Sequence, residues 1–229
     1  MDAANILVVE DDVDINRLLC TILEGAGYSC RAAFSGSEAL LWAEKYDYDL
    51  IVLDLMLPGA TGEELIARIR RGKTMPIIVA SAKVGVSDRV NVLKLGADDF
   101  IPKPFDNAEV LARVEAQLRR SREFSAAKAD VLTVGSLTLD RDSHTVSVDG
   151  EELSLTGREF DILALLMANP RRAFSRAQIY EAVWGEDFLG DENTVNVHVS
   201  NLRSKLAKVD RSRSYIKTVW GIGFKLADI

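Results

Sequence analysis

The chain has 229 residues, enough for two ordinary domains. Its 48% hydrophobic and 28% charged residues exclude a disordered or fibrous protein. No apolar run approaches the ~20 residues needed to span a bilayer. The start, MDAANILVVEDD, lacks the basic end and long apolar core of a signal peptide. A cytoplasmic protein without a membrane partner is expected. Cys20 and Cys30 show no metal or redox spacing in the sequence, so a reduced packing role is expected for both. The net charge of −7 argues mildly against nucleic acid as a partner, but the charge is uneven. Residues 193–225 hold seven Lys or Arg against one acid, a local balance of +6.

Residues 5–120 alternate strand and helix patterns. Ile6–Val9 reads as a strand, then a helix near 13–25 and a break at Gly25–Gly27. Residues 28–34 are a weaker strand. Ser35 to Glu38 is a capping box opening a helix to about 45. Leu50–Leu53 is apolar throughout, the mark of a strand buried on both faces, and Asp54 ends it before Pro58-Gly59. Thr61 to Glu64 opens another helix, Pro76–Ala80 is a fourth strand, and a helix follows near 87–95. Asp98–Pro102 is a fifth strand, and Asp106 to Glu109 opens the last helix, to about 120. Five βα units predict an α/β fold, a five-stranded doubly wound parallel sheet with right-handed crossovers. Ligands of such sheets bind outside the carboxyl ends of the strands.

Residues 121–130, SREFSAAKAD, read as a linker between a domain at 1–120 and another at 131–229. Residues 131–155 alternate in short stretches around Asp149-Gly150, a pattern of antiparallel strands. Capping boxes at Thr156–Glu159 and Ser175–Gln178 open helices ending near Asn169-Pro170 and Trp184. A third helix spans about 193–209, and 215–226 read as a glycine-turned hairpin. Three helices closed by a hairpin fit an α+β winged helix-turn-helix domain.

The strand-end residues form one constellation. Glu10 and Asp11 end the first strand, Asp54 the third and Ser81 the fourth, and Lys103 follows the fifth. Clustered carboxylates repel unless a cation joins them, and Mg²⁺ suits oxygen ligands. A nucleophilic carboxylate, a metal, an ammonium and a hydroxyl together fit phosphoryl transfer to Asp54. Asp12 suits a helix N-terminus. An aspartate phosphatase would need a second Asp where Met56 stands, so an enzyme is not expected.

VVEDD at 8–12, LDLMLPG at 53–59, ASAK at 80–83 and GADDFIPKPF at 96–105 resemble the flavodoxin-like receiver domain of the CheY type. LTGREFDILALLMANP, FSRAQIYEAVWG, TVNVHVSNLRSKL and YIKTVWGIGF resemble the DNA-binding domain of OmpR/PhoB-type two-component response regulators. This resemblance implies a phosphoacceptor Asp54 served by a sensor histidine kinase. It implies Mg²⁺ on Asp11, Asp54 and the Met56 carbonyl, with Glu10 completing the acid pair. Ser81 and Phe100 would be switch residues and Lys103 the phosphate sensor, preceding a cis proline. Phosphorylation would produce a homodimer through pairs Arg89–Glu109, Asp99–Arg113 and Asp98–Arg120. Double-stranded DNA is the implied target, and RNA polymerase fits the same class as a further partner. Ser81 replaces the more usual Thr, and Phe100 the more usual Tyr.

On a helical wheel, Val195, Val199, Leu202 and Leu206 line one face of helix 193–209. Asn193, Val197, Ser200, Asn201 and Ser204 lie opposite, with His198, Arg203 and Lys205 on the flanks. Short polar residues suit base edges and cations suit phosphates. The expected DNA contacts are these residues with Thr194, and Trp220 and Lys225 from the hairpin.

Overall fold

The computed structural model describes residues 3–82, 85–123, 131–185 and 192–227. The chain divides into two compact units, Met1–Arg119 and Arg120–Ile229.

In the first unit, β1 (Asn5–Val9), β2 (Ser29–Ala33), β3 (Leu50–Leu53), β4 (Ile77–Ser81) and β5 (Asp99–Pro102) form a sheet in the order β2-β1-β3-β4-β5. Every neighbouring pair is parallel. β3 and β4 are buried along their whole length, β3 as an unbroken Leu-Ile-Val-Leu and β4 as Ile-Ile-Val-Ala closed by Ser81. The connecting helices are α1 (Val13–Gly25), α2 (Gly36–Lys45), α3 (Gly62–Ile69), α4 (Val86–Leu95) and α5 (Asn107–Glu123). Helix α5 therefore runs three residues into the stretch read as linker. Residues 124–130 of that stretch lie outside the described residues.

The second unit opens with an antiparallel sheet of β6 (Val131–Val134), β7 (Leu137–Asp140), β8 (Thr145–Val148) and β9 (Glu151–Glu152). Helices α6 (Gly157–Ala168), α7 (Arg176–Trp184) and α8 (Glu192–Val209) follow. The closing hairpin, β11 (Ile216–Val219) and β12 (Gly223–Leu226), gains a third strand, β10 (Phe174–Ser175), too short to show a period in the sequence. The expected capping boxes of α3, α6 and α7 are complete. At α2 only half forms: Ser35 accepts from the Glu38 amide, but the Glu38 carboxylate accepts from Phe34 instead. One core joins the inner faces of β7 and β8 to α6, α7 and α8.

Candidate functional site

The carboxyl ends of β1, β3, β4 and β5 are knitted together by backbone bonds. The Asp54 amide donates to Val9 (2.9 Å), Glu10 to Ala33 (3.0 Å) and Lys103 to Ser81 (3.0 Å). This brings Glu10, Asp54, Ser81 and Lys103 to one edge, as parallel topology dictates. The Lys103 ammonium donates to Glu10 Oε2 and to Asp54 Oδ2, both at 2.5 Å. Asp54 Oδ1 accepts from the Met56 amide (3.1 Å). One oxygen each of Glu10, Asp11 and Asp54 lies within 4.8 Å of the others. Three hard oxygen donors this close fit Mg²⁺. Asp12 instead caps α1, accepting from Asp14 and Ile15. The Lys103–Pro104 peptide is cis.

Burial alone would raise the carboxyl pKa values of Glu10 and Asp54. It prevails at Glu10, whose carboxyl stays above its ordinary value despite the Lys103 ammonium. At Asp54 burial is outweighed by Lys103, the Met56 amide and the Ser81 hydroxyl, and the carboxyl falls below its ordinary value. Burial opposes the Lys103 charge, but Asp54 and Glu10 together raise its pKa.

Two features of the site were not legible beforehand. Asn16, on α1 and buried, donates both amide protons, to the Glu10 and Ala33 carbonyls (3.0 and 3.1 Å), and so fixes the Glu10 strand end. At Gly62 a Cβ would lie 2.7 Å from the Asp54 carbonyl and 2.6 Å from Leu55 Cα. Only glycine lets α3 start against the Asp54 loop.

Ser81 and Phe100 are both buried. Several of the charges expected between subunits have partners within the chain. Asp99 pairs with Arg113 within the chain (3.0 Å), and Arg113 also holds Glu109 (3.1 Å). Asp98 is buried and bound to Arg70 (2.7 Å), not offered to Arg120. Arg89 is half-buried, and the Arg120 side chain lies outside the described residues.

Helix α8 also departs from its wheel. His198 is 1% exposed, with its ring 5.4 Å from that of Trp184. Thr194 and Val197 are buried too. The wheel registers angle only, and the first turns of α8 are covered on more than one side. Lys205 donates to the buried Glu159 carboxylate (2.6 Å), and Arg203 to the Ile216 carbonyl and Thr218 hydroxyl. These two cations hold α8 to α6 and β11 and do not stand on the outer face. Asn193, Ser200 and Ser204 are exposed, Asn201 half so. Among the described residues from α8 to β11, the exposed cations are Lys208, Arg211, Arg213 and Lys217. The hairpin turn presents Trp220 at 92% exposure, and Lys217 stands directly across the ladder from Lys225, which is half-buried.

Residues 6–115 match the response regulator receiver domain, and residues 150–226 the C-terminal domain of transcriptional regulatory proteins. The transcriptional regulatory protein ResD of Bacillus subtilis is 42% identical, with 98% of each chain covered. The sensory transduction protein RegX3 of Mycolicibacterium smegmatis is 38% identical over 97% of this chain and 98% of its own. Among solved structures, a RitR mutant is 29% identical with a TM-score of 0.81, covering 99% of this chain and 100% of its own. DrrB of Thermotoga maritima, described as an OmpR/PhoB homologue, is 26% identical with a TM-score of 0.53, covering 98% and 99%. With both domain families matched in order and close relatives aligned along nearly the whole length, the chain belongs to the OmpR/PhoB-type two-component response regulators, which join a receiver to a DNA-binding domain and regulate transcription.

Proposed function

We propose that Asp54 of this cytoplasmic protein takes a phosphoryl group from a sensor histidine kinase and that the modified chain binds DNA as a dimer. The observation that carries this reading is Lys103, held at 2.5 Å from both Glu10 and Asp54. Asp54 is ionised at neutral pH, with its carboxylate next to an ammonium that can follow a phosphoryl oxygen. Glu10, Asp11, Asp54 and the Met56 carbonyl would hold Mg²⁺, which when bound screens the oxygens of the transferred group. An Asp54 oxygen attacks phosphorus, the N–P bond of the kinase phosphohistidine breaks, and the imidazole leaves with the electron pair. Lys103 and the Ser81 hydroxyl then donate to phosphoryl oxygens. Ser81 pairs with Pro102 across β4–β5, close to Phe100, which links the site to the face of α4, β5 and α5. That face carries the Asp99–Arg113–Glu109 network, whose intrachain pairs would exchange for pairs with a second copy.

Acetyl phosphate with Mg²⁺ should add one phosphoryl mass to the intact protein, and Asp54→Asn should lose it. An undiminished adduct on the variant refutes the assignment.

For DNA we propose that Asn193, Ser200, Asn201 and Ser204 face the bases, with Lys208, Arg211, Arg213 and Lys217 on phosphates and Trp220 at the groove edge. RNA polymerase contact and half-sites one helical turn apart fit the same reading. Lys208→Ala should weaken all sequences alike and lower the salt slope by about 1. Lys205→Ala should leave that slope unchanged and lower the stability of the second unit, because it strands Glu159. Equal slopes for Lys208→Ala and the parent protein would sink the placement.

A further inference from the structure

The ladders that join β1 to β2 and to β3 both end at Val9. The Glu10 carbonyl lies past them, where the chain leaves the sheet for α1. Its donor there is a side chain, Asn16 Nδ2 at 3.0 Å, from a residue only 1% exposed. The same nitrogen donates to the Ala33 carbonyl at 3.1 Å and lies 3.5 Å from that of Val8. On the other end of the amide the Cys20 thiol donates to Oδ1 at 3.5 Å. Carbonyls on one side and a donor on the other settle which end is the nitrogen.

The three carboxylates of the acid pocket are held in different ways. Glu10 and Asp54 are bound by Lys103, and Asp54 also by the Met56 amide. Asp11 is exposed and stands between two backbone anchors. On one side is the Glu10 carbonyl on Asn16. On the other is Asp12, which caps α1 and whose carbonyl accepts from the Asn16 amide at 2.9 Å. The Glu10–Asp11 peptide is planar, so a donor on its carbonyl fixes the direction in which Asp11 projects.

We propose that Asn16 is a positioning residue for Mg²⁺: its side-chain amide, bound to the Glu10 carbonyl, aims the Asp11 carboxylate at the ion. The role rests on the Mg²⁺ reading of the acid pocket. Asn16 itself touches neither the ion nor the phosphoryl group. An apolar residue of the same size would fill the space between α1 and the sheet with no polar group to satisfy. What the amide adds is direction. A residue that only aims a ligand changes how tightly the ion is held, and not the reaction at Asp54 once the ion is in place.

The test is a Mg²⁺ titration of the full chain, followed at the Met56 amide resonance. Asn16→Leu, similar in volume and without a donor, should raise the Mg²⁺ dissociation constant about tenfold. Asn16→Ser, whose hydroxyl stops short of the strand end, should move it in the same direction and carries the test if the leucine variant does not fold. With acetyl phosphate, the Mg²⁺ concentration for half-maximal phosphorylation should rise by the same factor, while the rate at saturating Mg²⁺ stays at the parent value. Leu23→Val trims a fully buried side chain about two turns further along α1. It should lower the urea midpoint and leave Mg²⁺ binding unchanged. Asn16 variants that bind Mg²⁺ as the parent does, or an equal weakening in Leu23→Val, would overturn the role of Asn16 alone. A parent protein that does not bind Mg²⁺ would refute the reading of the acid pocket, and this role with it.

Discussion

Trp184→Ala is expected to destabilise the second unit by about 3–5 kcal/mol, the usual cost of removing a buried indole. The ring is fully buried. Tyr180 stacks on it with centroids 4.9 Å apart and planes 1° from parallel. The Arg158 guanidinium lies 4.6 Å from its centroid, and Arg158 itself is buried and donates to the Val183 carbonyl. His198 meets it from α8. Deleting the indole opens a cavity, removes the cation–π partner of a buried charge and unseats the first turns of α8. A loss of that size is a large part of the stability of a whole domain. Hydrogen exchange in a urea series, with peptides from each unit followed separately, checks it. The second unit should open at lower urea and the first should not move. A shift below about 1 kcal/mol would show that α8 is seated by something else.

Lys103→Met is expected to cost the first unit about 3–5 kcal/mol at neutral pH, because one cation serves two buried carboxylates. In the parent protein the Asp54 contribution is present above 3.8 and lost as pH falls below it, through the lowered folded value. The Lys103 contribution is present below 10.5 and lost as pH rises through a folded value above that. Glu10 has the opposite sign: its folded pKa exceeds 4.5, so stability declines as pH rises through that window. Without Lys103 both carboxyls titrate upward. The variant should therefore recover stability as pH falls into the carboxylate range, and Mg²⁺ should restore part of it at neutral pH. Urea midpoints at several pH values, with and without Mg²⁺, measure this. A deficit that is constant with pH and blind to Mg²⁺ would mean that Lys103 acts only through packing.

The acid pocket was legible because topology does the work. Once β1, β3, β4 and β5 read as parallel strands, their carboxyl ends must share an edge, and Glu10, Asp54, Ser81 and Lys103 arrive together. Capping boxes were legible for a similar reason, since donor and acceptor lie three residues apart. What stayed hidden depends on distant contacts. Nothing local marks Asn16 as the tie to Glu10 and Ala33, or Arg70 as the partner of Asp98. Helix α8 shows the limit of a single periodicity. Its core stripe of Val195, Val199, Leu202 and Leu206 is buried as read, yet Thr194, Val197 and His198 are buried as well. Lys205 and Arg203 look like any flank cations until Glu159 and the Ile216 carbonyl come into place.

Two sets of cations in the second unit stand in contrast. Lys205, Arg203, Arg158 and Arg176 are bound inward, to Glu159, the Ile216 carbonyl, the Val183 carbonyl and Asn196. Lys208, Arg211, Arg213 and Lys217 face solvent. Counterions reach the second population freely and the first hardly at all. With the second population on phosphates as proposed, potassium or sodium levels would retune occupancy of a promoter over a wide span while the melting point of the winged domain stays nearly fixed. An osmotic upshift in the cell would register at the DNA before it registered in the fold.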